Sequence, residues 1–324
     1  MSAGRFAPSP SGDLHIGNLR TAVLAWLFAR RTGRDYLIRM EDLDRVRPGS
    51  AERQLADLAA LGLDWSEPVV HQSTRLPAYA AVVDDLVAAG ETFECFCTRR
   101  EIQEAPSAPH APPGAYPGTC RDLTAAQRTE RRRERPAAIR LRAAASSFAV
   151  HDVLHGEYTG DVDDFVLLRG DGTPAYNLAV VVDDAVSGID QVVRGDDLLS
   201  SSPRQAYLAT RLGYPVPEYA HVPMVLSPST GSGGGSKGSG GGSKGSGGGS
   251  KVSGGGPIRL SKRDGAITLE QLAQRGVDAG AVLSMIAESL DLAVPGETVS
   301  TAVLLDRFEP AALPRGPWIF VAPE

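Results

Sequence analysis

Three features of the sequence carry side chains able to do chemistry. Near the start, His15-Ile-Gly17-Asn18 stands in the turn between an apolar strand and a helix. The first turn of a helix leaves backbone N–H groups unpaired and its dipole favours negative charge, so a phosphate fits there. Gly17 lets a flat base or a phosphate approach the backbone, and His15 can donate a hydrogen bond to charge growing on a phosphate oxygen. Much later comes Arg259-Leu260-Ser261-Lys262-Arg263, where the sheet-forming pattern ends, and Lys262 could reach the same phosphates from the opposite side. Taken singly each is ordinary: a histidine closing a strand is commonly a satisfied polar residue, and a Lys-Arg pair a solvated basic turn. Third, Cys95-x-Cys97 and Tyr116-x3-Cys120 offer three thiolates and a phenol in one loop, enough for a closed tetrahedral zinc site stapling a segment too polar to fold alone. Chemistry alone would choose His110 in that loop as the fourth ligand, because imidazole binds zinc more commonly than phenolate. Three metal-free cysteines packed as small hydrophobes is the plain reading.

These groups need a frame. Residues 4–8 read as a short strand, and Leu19, Val23, Leu24, Trp26 and Leu27 share one face of a helix that stops at Gly33. Residues 36–40 form a second strand, 50–61 and 76–89 amphipathic helices, 190–194 a later strand, and 202–212 the helix after it. Such alternation predicts an α/β fold with a doubly wound parallel sheet, whose ligands sit at the carboxyl ends of strands near the switch point. Residues 93–168, with the cysteines, a Pro-rich loop and short strands, are expected to form an inserted subdomain. It splits the α/β body into 1–92 and 169–230. Short helices are expected over residues 269–274, 281–290 and 301–308, within a C-terminal part spanning 257–324.

Between body and tail, residues 231–256 hold 15 of the 36 glycines and repeat Gly-Ser-Gly-Gly-Gly-Ser-Lys three times. The repeats have no apolar side chain to bury, so this spacer, natural or engineered, is expected to be disordered and is assigned no chemistry. The net charge of −6 excludes a histone-like protein and leaves nucleic-acid contact to a local basic patch. The longest apolar runs, such as residues 178–182, are soon interrupted by Asp, so no membrane span is expected. The first residues carry no secretory pattern, and three cysteines cannot all pair. A cytoplasmic monomer is expected. Between Arg121 and Arg142 eight arginines face only Asp122, Glu130 and Glu134, either tracking RNA phosphates or forming a solvated face of ion pairs.

Together the motifs are far more specific than singly. Arg5-Phe-Ala-Pro-Ser-Pro-Ser-Gly-Asp-Leu-His-Ile-Gly-Asn, with Arg39-Met-Glu-Asp-Leu-Asp44 and the later Leu260-Ser-Lys-Arg, resembles the class I aminoacyl-tRNA synthetases of the glutamyl subgroup. The resemblance implies a Rossmann-type catalytic domain that condenses L-glutamate with ATP, accompanied by Mg2+, to glutamyl-adenylate and transfers the glutamyl group to RNA. It implies that His15, Gly17, Asn18, Ser261 and Lys262 bind ATP, with His15 and Lys262 catalytic. Arg5, Phe6, Ala7, Pro8 and Ser9 would line the amino-acid pocket, with Arg5 holding a carboxylate, Glu41 meeting the ammonium group, and Tyr176 and Arg194 adding a hydroxyl and a second guanidinium. Without the family, Arg39 and Glu41 would read as a surface ion pair and Tyr176 as core.

The cysteine pattern is similar to that of the family's truncated branch, which joins glutamate to queuosine in the anticodon loop of tRNA(Asp). That likeness implies one structural Zn2+ held by Cys95, Cys97, Tyr116 and Cys120, and tRNA(Asp) bearing queuosine as partner. The stretch after Arg263 is too short for stem-contact helices plus an anticodon-binding domain, in keeping with that branch. A shortened synthetase charging a tRNA 3′ end shares every active-site residue named. A catalytically silent RNA-binding paralogue is the other alternative, suggested by the spacer and by Arg259 in place of the usual lysine.

Overall fold

The computed structural model describes residues 2–104, 116–228, 258–259 and 267–323. The spacer at 231–256, together with His110, Ser261 and Lys262, lies outside the described residues.

The chain opens with β1 (Ala3–Phe6), every residue of which is buried, and α1 (Ile16–Arg31). Eleven of the sixteen α1 residues are buried, so this helix runs through the core rather than along its surface. It starts where His15 caps it and ends at Gly33, whose φ of 68° lies in the left-handed region that glycine enters without strain. Arg30 and Arg31 occupy its last turn, where cations complement the dipole. There follow β2 (Asp35–Met40), α2 (Ser50–Ala60), β3 (Ser66–His71) and α3 (Leu76–Ala88). The middle of the chain holds β4 (Thr92–Cys95), α4 (Arg99–Glu104), α5 (Ala125–Glu134), β5 (Ala138–Leu141), β6 (Ser147–Asp152), β7 (Gly156–Asp161) and β8 (Val166–Leu168). Then come α6 (Tyr176–Val186), β9 (Ile189–Gly195), α7 (Ser202–Arg211), β10 (Glu218–Val222) and β11 (Val225–Ser227). The described chain closes with β12 (Ile258–Arg259), α8 (Leu269–Ala273), α9 (Ala279–Glu288), α10 (Thr301–Arg307) and β13 (Trp318–Ile319).

Seven strands form one sheet in the order β3-β2-β1-β9-β10-β6-β7, parallel throughout except for the β6–β7 hairpin at one edge. Strand order reverses between β1 and β9, leaving a crevice beyond their carboxyl ends. The segment expected to form one inserted subdomain divides in two. β4, β5 and β8 make a separate antiparallel sheet beside the cysteines, whereas β6 and β7 extend the main sheet. Each strand of that hairpin had to find a paired edge for its backbone, and β10 supplied one.

Helices α9 and α10 bury Val282, Leu283, Ile286 and Leu304 in the same apolar cluster as α1, and Phe308 meets Phe28 edge-on at 5.1 Å between ring centroids. The C-terminal part therefore braces the helix that carries His15. Among the described residues no helix is long and apolar enough to cross a membrane.

Candidate active site

A cavity of about 260 Å³ opens at the β1/β9 switch point. It is lined by Arg5, Phe6, Ala7, Pro8 and Ser9 from the end of β1, by His15, Gly17, Asn18 and Thr21 from the start of α1, by Glu41 after β2, by Tyr176 at the head of α6, and by Arg194 at the end of β9. The structure thus brings together the amino-acid-pocket residues and three of the five phosphate-site residues expected from sequence. Val193, Gly195, Asp197, Leu198, Met224 and Val225 complete the wall and were not foreseen. At Gly195 a Cβ would sit 2.6 Å from an Asp197 oxygen and 3.0 Å from the Met224 sulfur, so any side chain there would displace both.

Beneath the cavity lies a buried ionic cluster. Asp184 accepts from Arg5 Nε at 3.3 Å and from Arg39 Nη1 at 2.5 Å, while Asp183 accepts from Gln72 and the Tyr79 hydroxyl and pairs with Arg75. Burial works to raise the Asp184 carboxyl, yet Arg39 and Arg5 outweigh it and hold the group below the ordinary carboxylate range. At Glu41 the balance is reversed. Burial pushes its carboxyl up, and Arg39, 3.4 Å away, together with Arg5 offsets only part of that. Arg39 and Glu41 are therefore not a surface pair, since the Arg39 side chain is 3% exposed.

The two pocket arginines keep different edges for a ligand. Arg5 commits Nε to Asp184, so among the described residues its end-on pair of Nη nitrogens is what remains for a bidentate carboxylate. Arg194 is more fully engaged than sequence suggested: Nε donates to His221 Nε2 at 3.0 Å, Nη1 to Gln205 at 2.8 Å and Nη2 to Ser202 at 2.7 Å. One Nη1 hydrogen remains. Tyr176, which the residues alone would place in the core, is 41% exposed.

His15 behaves differently from a residue beside bare backbone donors. Its Nδ1 accepts from the N–H groups of Gly17 at 3.1 Å and Asn18 at 3.3 Å, and the Ile16 N–H bonds to Ile267 O at 3.0 Å. The amides expected to meet an anion are thus taken up within the protein. With Nδ1 an acceptor, the neutral ring carries its proton on Nε2, which is the nitrogen able to donate to a ligand. Gly17 makes room for this cap, as a Cβ there would lie 3.0 Å from the imidazole.

The flanks of the second motif converge on this helix start. Arg259 pairs through its backbone with Leu226 on β11, next to cavity-lining Val225, and Thr268 bridges to His15. Arg259 and Thr268 thus each pair with a segment that lines or adjoins the cavity.

The cysteine loop places the Cys95, Cys97 and Cys120 sulfurs within 4.8 Å of one another. The Tyr116 hydroxyl lies 3.5 Å from Cys95 Sγ and 4.0 Å from Cys97 Sγ, and Cys97 and Cys120 sulfurs are 3.5 Å apart. Tetrahedral thiolates at a Zn–S distance of about 2.3 Å have edges of about 3.8 Å, so the four donors fit a metal ion. Burial and the neighbouring Cys95 push the Cys97 thiol up to about 12, so a set of thiolates here calls for a cation.

The arginine-rich stretch is largely spoken for. Arg121 pairs with Asp164, Arg132 with Glu94, Arg133 with Glu130, Arg131 with Glu134 and Arg142 with Asp122. Arg128 and Arg135 donate to backbone carbonyls, and buried Arg140 donates to Asp164 O while lying over the Tyr116 ring. An ion-paired face describes it better than a bare phosphate track.

Sequence reasoning missed Asp183 and Asp184. Tyr176, Val180 and Asp184 recur every fourth residue, which puts Asp184 on the helix face that presents Tyr176, and that spacing was the available signal.

Residues 3–231 match the family described as class I tRNA synthetases (E and Q), catalytic domain. A Nocardia farcinica protein named glutamyl-Q tRNA(Asp) synthetase is 58% identical over 320 residues, spanning 98% of this chain and 92% of the relative. A Cutibacterium acnes protein of the same name is 49% identical, spanning 94% of this chain and 81% of the relative. Among solved structures, a glutamate tRNA ligase from Elizabethkingia meningosepticum, in complex with its amino acid, superposes with a TM-score of 0.76 at 25% identity. The match covers 99% of this chain and 67% of that one.

The raised Glu41 carboxyl has a measurable consequence. A carboxyl whose folded pKa exceeds its unfolded value costs stability above the folded pKa and costs nothing below the unfolded one. Glu41→Gln should therefore raise the melting temperature near neutral pH, with the gain fading as pH falls into the ordinary carboxylate range. A gain that grows on acidification would contradict the sign.

Proposed function

Because the chain belongs to the class I tRNA synthetases of the glutamyl and glutaminyl group, a family of ligases, we propose that it activates L-glutamate with ATP and passes the glutamyl group to queuosine in the anticodon loop of tRNA(Asp). One observation carries the reading: a single cavity holds Arg5 and Glu41, suited to the two ends of an amino acid, beside the helix start capped by His15. The names of the two relatives support the acceptor.

In this reading the Nη pair of Arg5 takes a glutamate carboxylate, with the remaining Arg194 hydrogen and the Tyr176 hydroxyl nearby. Glu41 takes the ammonium group, whose positive charge lets a carboxyl held up by burial ionise fully. The α-carboxylate attacks the α-phosphorus of ATP, forming the mixed anhydride and expelling pyrophosphate. A queuosine hydroxyl then attacks the anhydride carbonyl and AMP leaves. His15 donates from Nε2 to the phosphates while its Nδ1 stays fixed by the helix cap, and Lys262 supplies a second positive charge. Mg2+ bound with ATP would add charge at the phosphates. Cys95, Cys97, Tyr116 and Cys120 would hold one structural Zn2+.

Lys262→Ala should lower kcat for glutamyl-adenylate formation by roughly 10² and alter glutamate affinity little, as for loss of a preorganised charge. Metal analysis should find one zinc per chain, lost in Tyr116→Phe and retained in His110→Ala; the reverse pattern makes the histidine the ligand. Labelled glutamate should transfer to queuosine-containing tRNA(Asp) and neither to the same tRNA lacking queuosine nor to tRNA(Glu). Transfer to tRNA(Glu), or equal transfer to both forms of tRNA(Asp), would sink the assignment of the acceptor.

A further inference from the structure

Three neighbouring strands of the main sheet carry a buried polar chain, of which the reaction scheme uses only Arg194. Arg194 on β9 is in register with His221 on β10, and Tyr219, two residues before His221, is in register with Asp152 on β6. Arg194 Nε lies 3.0 Å from His221 Nε2, and His221 Nδ1 lies 2.6 Å from Asp152 Oδ2. Both His221 and Asp152 are 0% exposed.

The chemistry of the two ends fixes the middle. An arginine nitrogen only donates, so His221 Nε2 must present its lone pair, and the ring proton must sit on Nδ1, pointing at the carboxylate. Asp152 cannot be replaced by an amide without conflict. Besides His221 Nδ1 it accepts from the backbone N–H groups of His221, Leu154 and His155, and all four face its two oxygens. The other groups around the ring agree. Ser202 Oγ lies 3.1 Å from Nε2, Tyr219 stacks on the imidazole at 5.8 Å, and His155 Nε2 reaches only the His221 carbonyl. Ser202, His221 and Asp152 have the connectivity of a nucleophilic triad. Yet Ser202 is sealed from solvent, and an arginine donates into the nitrogen that would have to take its proton, so hydrolytic chemistry is excluded.

We infer that Asp152 and His221 are positioning residues that hold the Arg194 guanidinium in the cavity wall, with its last Nη1 hydrogen free for the substrate carboxylate. The inference rests on the reading of that cavity as the glutamate site. It also accounts for the β6–β7 hairpin joining the main sheet, because the strand that supplies Asp152 must lie beside β10.

A calorimetric titration of L-glutamate into the full-length protein tests it, together with four variants: Arg194→Ala, His221→Phe, His221→Gln and the double variant of Arg194→Ala with His221→Phe. His221→Phe keeps the ring shape without an acceptor and should weaken glutamate binding about tenfold, the usual loss for a hydrogen bond to a charged group. His221→Gln, whose carbonyl can accept from Arg194, should recover part of it. In the Arg194→Ala background His221→Phe should change affinity less than about twofold, because residues acting through one another are non-additive. If Arg194→Ala binds glutamate as the parent does, the glutamate-site reading fails and the positioning role with it. If Arg194→Ala weakens binding while His221→Phe does not, or if the two losses simply multiply, the positioning role alone is overturned. Nitrogen-15 spectra of the parent protein give an answer independent of any variant's folding: His221 should be neutral with its proton on Nδ1, and an Nε2–H tautomer would contradict the chain of bonds.

Discussion

Charges removed from water must be paired, and the cavity at the β1/β9 switch point is organised by that requirement. Taking one ion out of water costs several kcal/mol unless partners and hydrogen bonds offset it. Arg5, Arg39, Asp183 and Asp184 are all buried at a single spot, which is why α6 turns Asp184 toward Arg39 and Arg5 and why Gln72, Arg75 and Tyr79 turn inward to Asp183. The same pairing decides what is left for a ligand. Asp184 occupies the Nε edge of Arg5 and orients its outer nitrogens, while Glu41 is left short of compensation and gains most from an incoming cation.

The His15 side of the cavity follows another local rule, that a helix start must satisfy its own amides. His15 does so with Nδ1, which leaves the ring proton of the neutral imidazole on Nε2. The backbone of Ile267 ties the chain following the second motif to the same helix turn, and β11 ties the chain preceding it to the cavity wall. Segments far apart in sequence thus meet because one helix terminus and one short strand give Ile267 and Arg259 hydrogen-bond partners.

Much of the frame was legible in the residues. The apolar face of α1 and its stop at Gly33, the alternation of β1, β2 and β9 with helices, and the cysteine spacing all rest on local periodicity or turn chemistry. What escaped depends on contacts between distant segments. By pattern alone Asp183 ends an apolar run, yet it is 0% exposed, because Gln72, Tyr79, Arg75 and Arg39 from other elements make its burial tolerable. The residue pattern of β6 says that it is half-buried but not which strand it joins, so the link from Asp152 through His221 to Arg194 could not be seen. The likeness to a synthetase family named the pocket residues, whereas the edge of each arginine still available for a ligand came only from the three-dimensional arrangement.

The central claim is that this cavity selects and activates glutamate by its own geometry, before any RNA arrives. Amino-acid-dependent exchange of pyrophosphate into ATP, measured on the purified protein without tRNA and with glutamine and aspartate alongside, tests that claim most directly. Exchange is predicted with glutamate and little or none with the other two, since glutamine lacks the side-chain carboxylate and aspartate is one methylene too short. Exchange that requires tRNA, or that proceeds equally with glutamine, would contradict it.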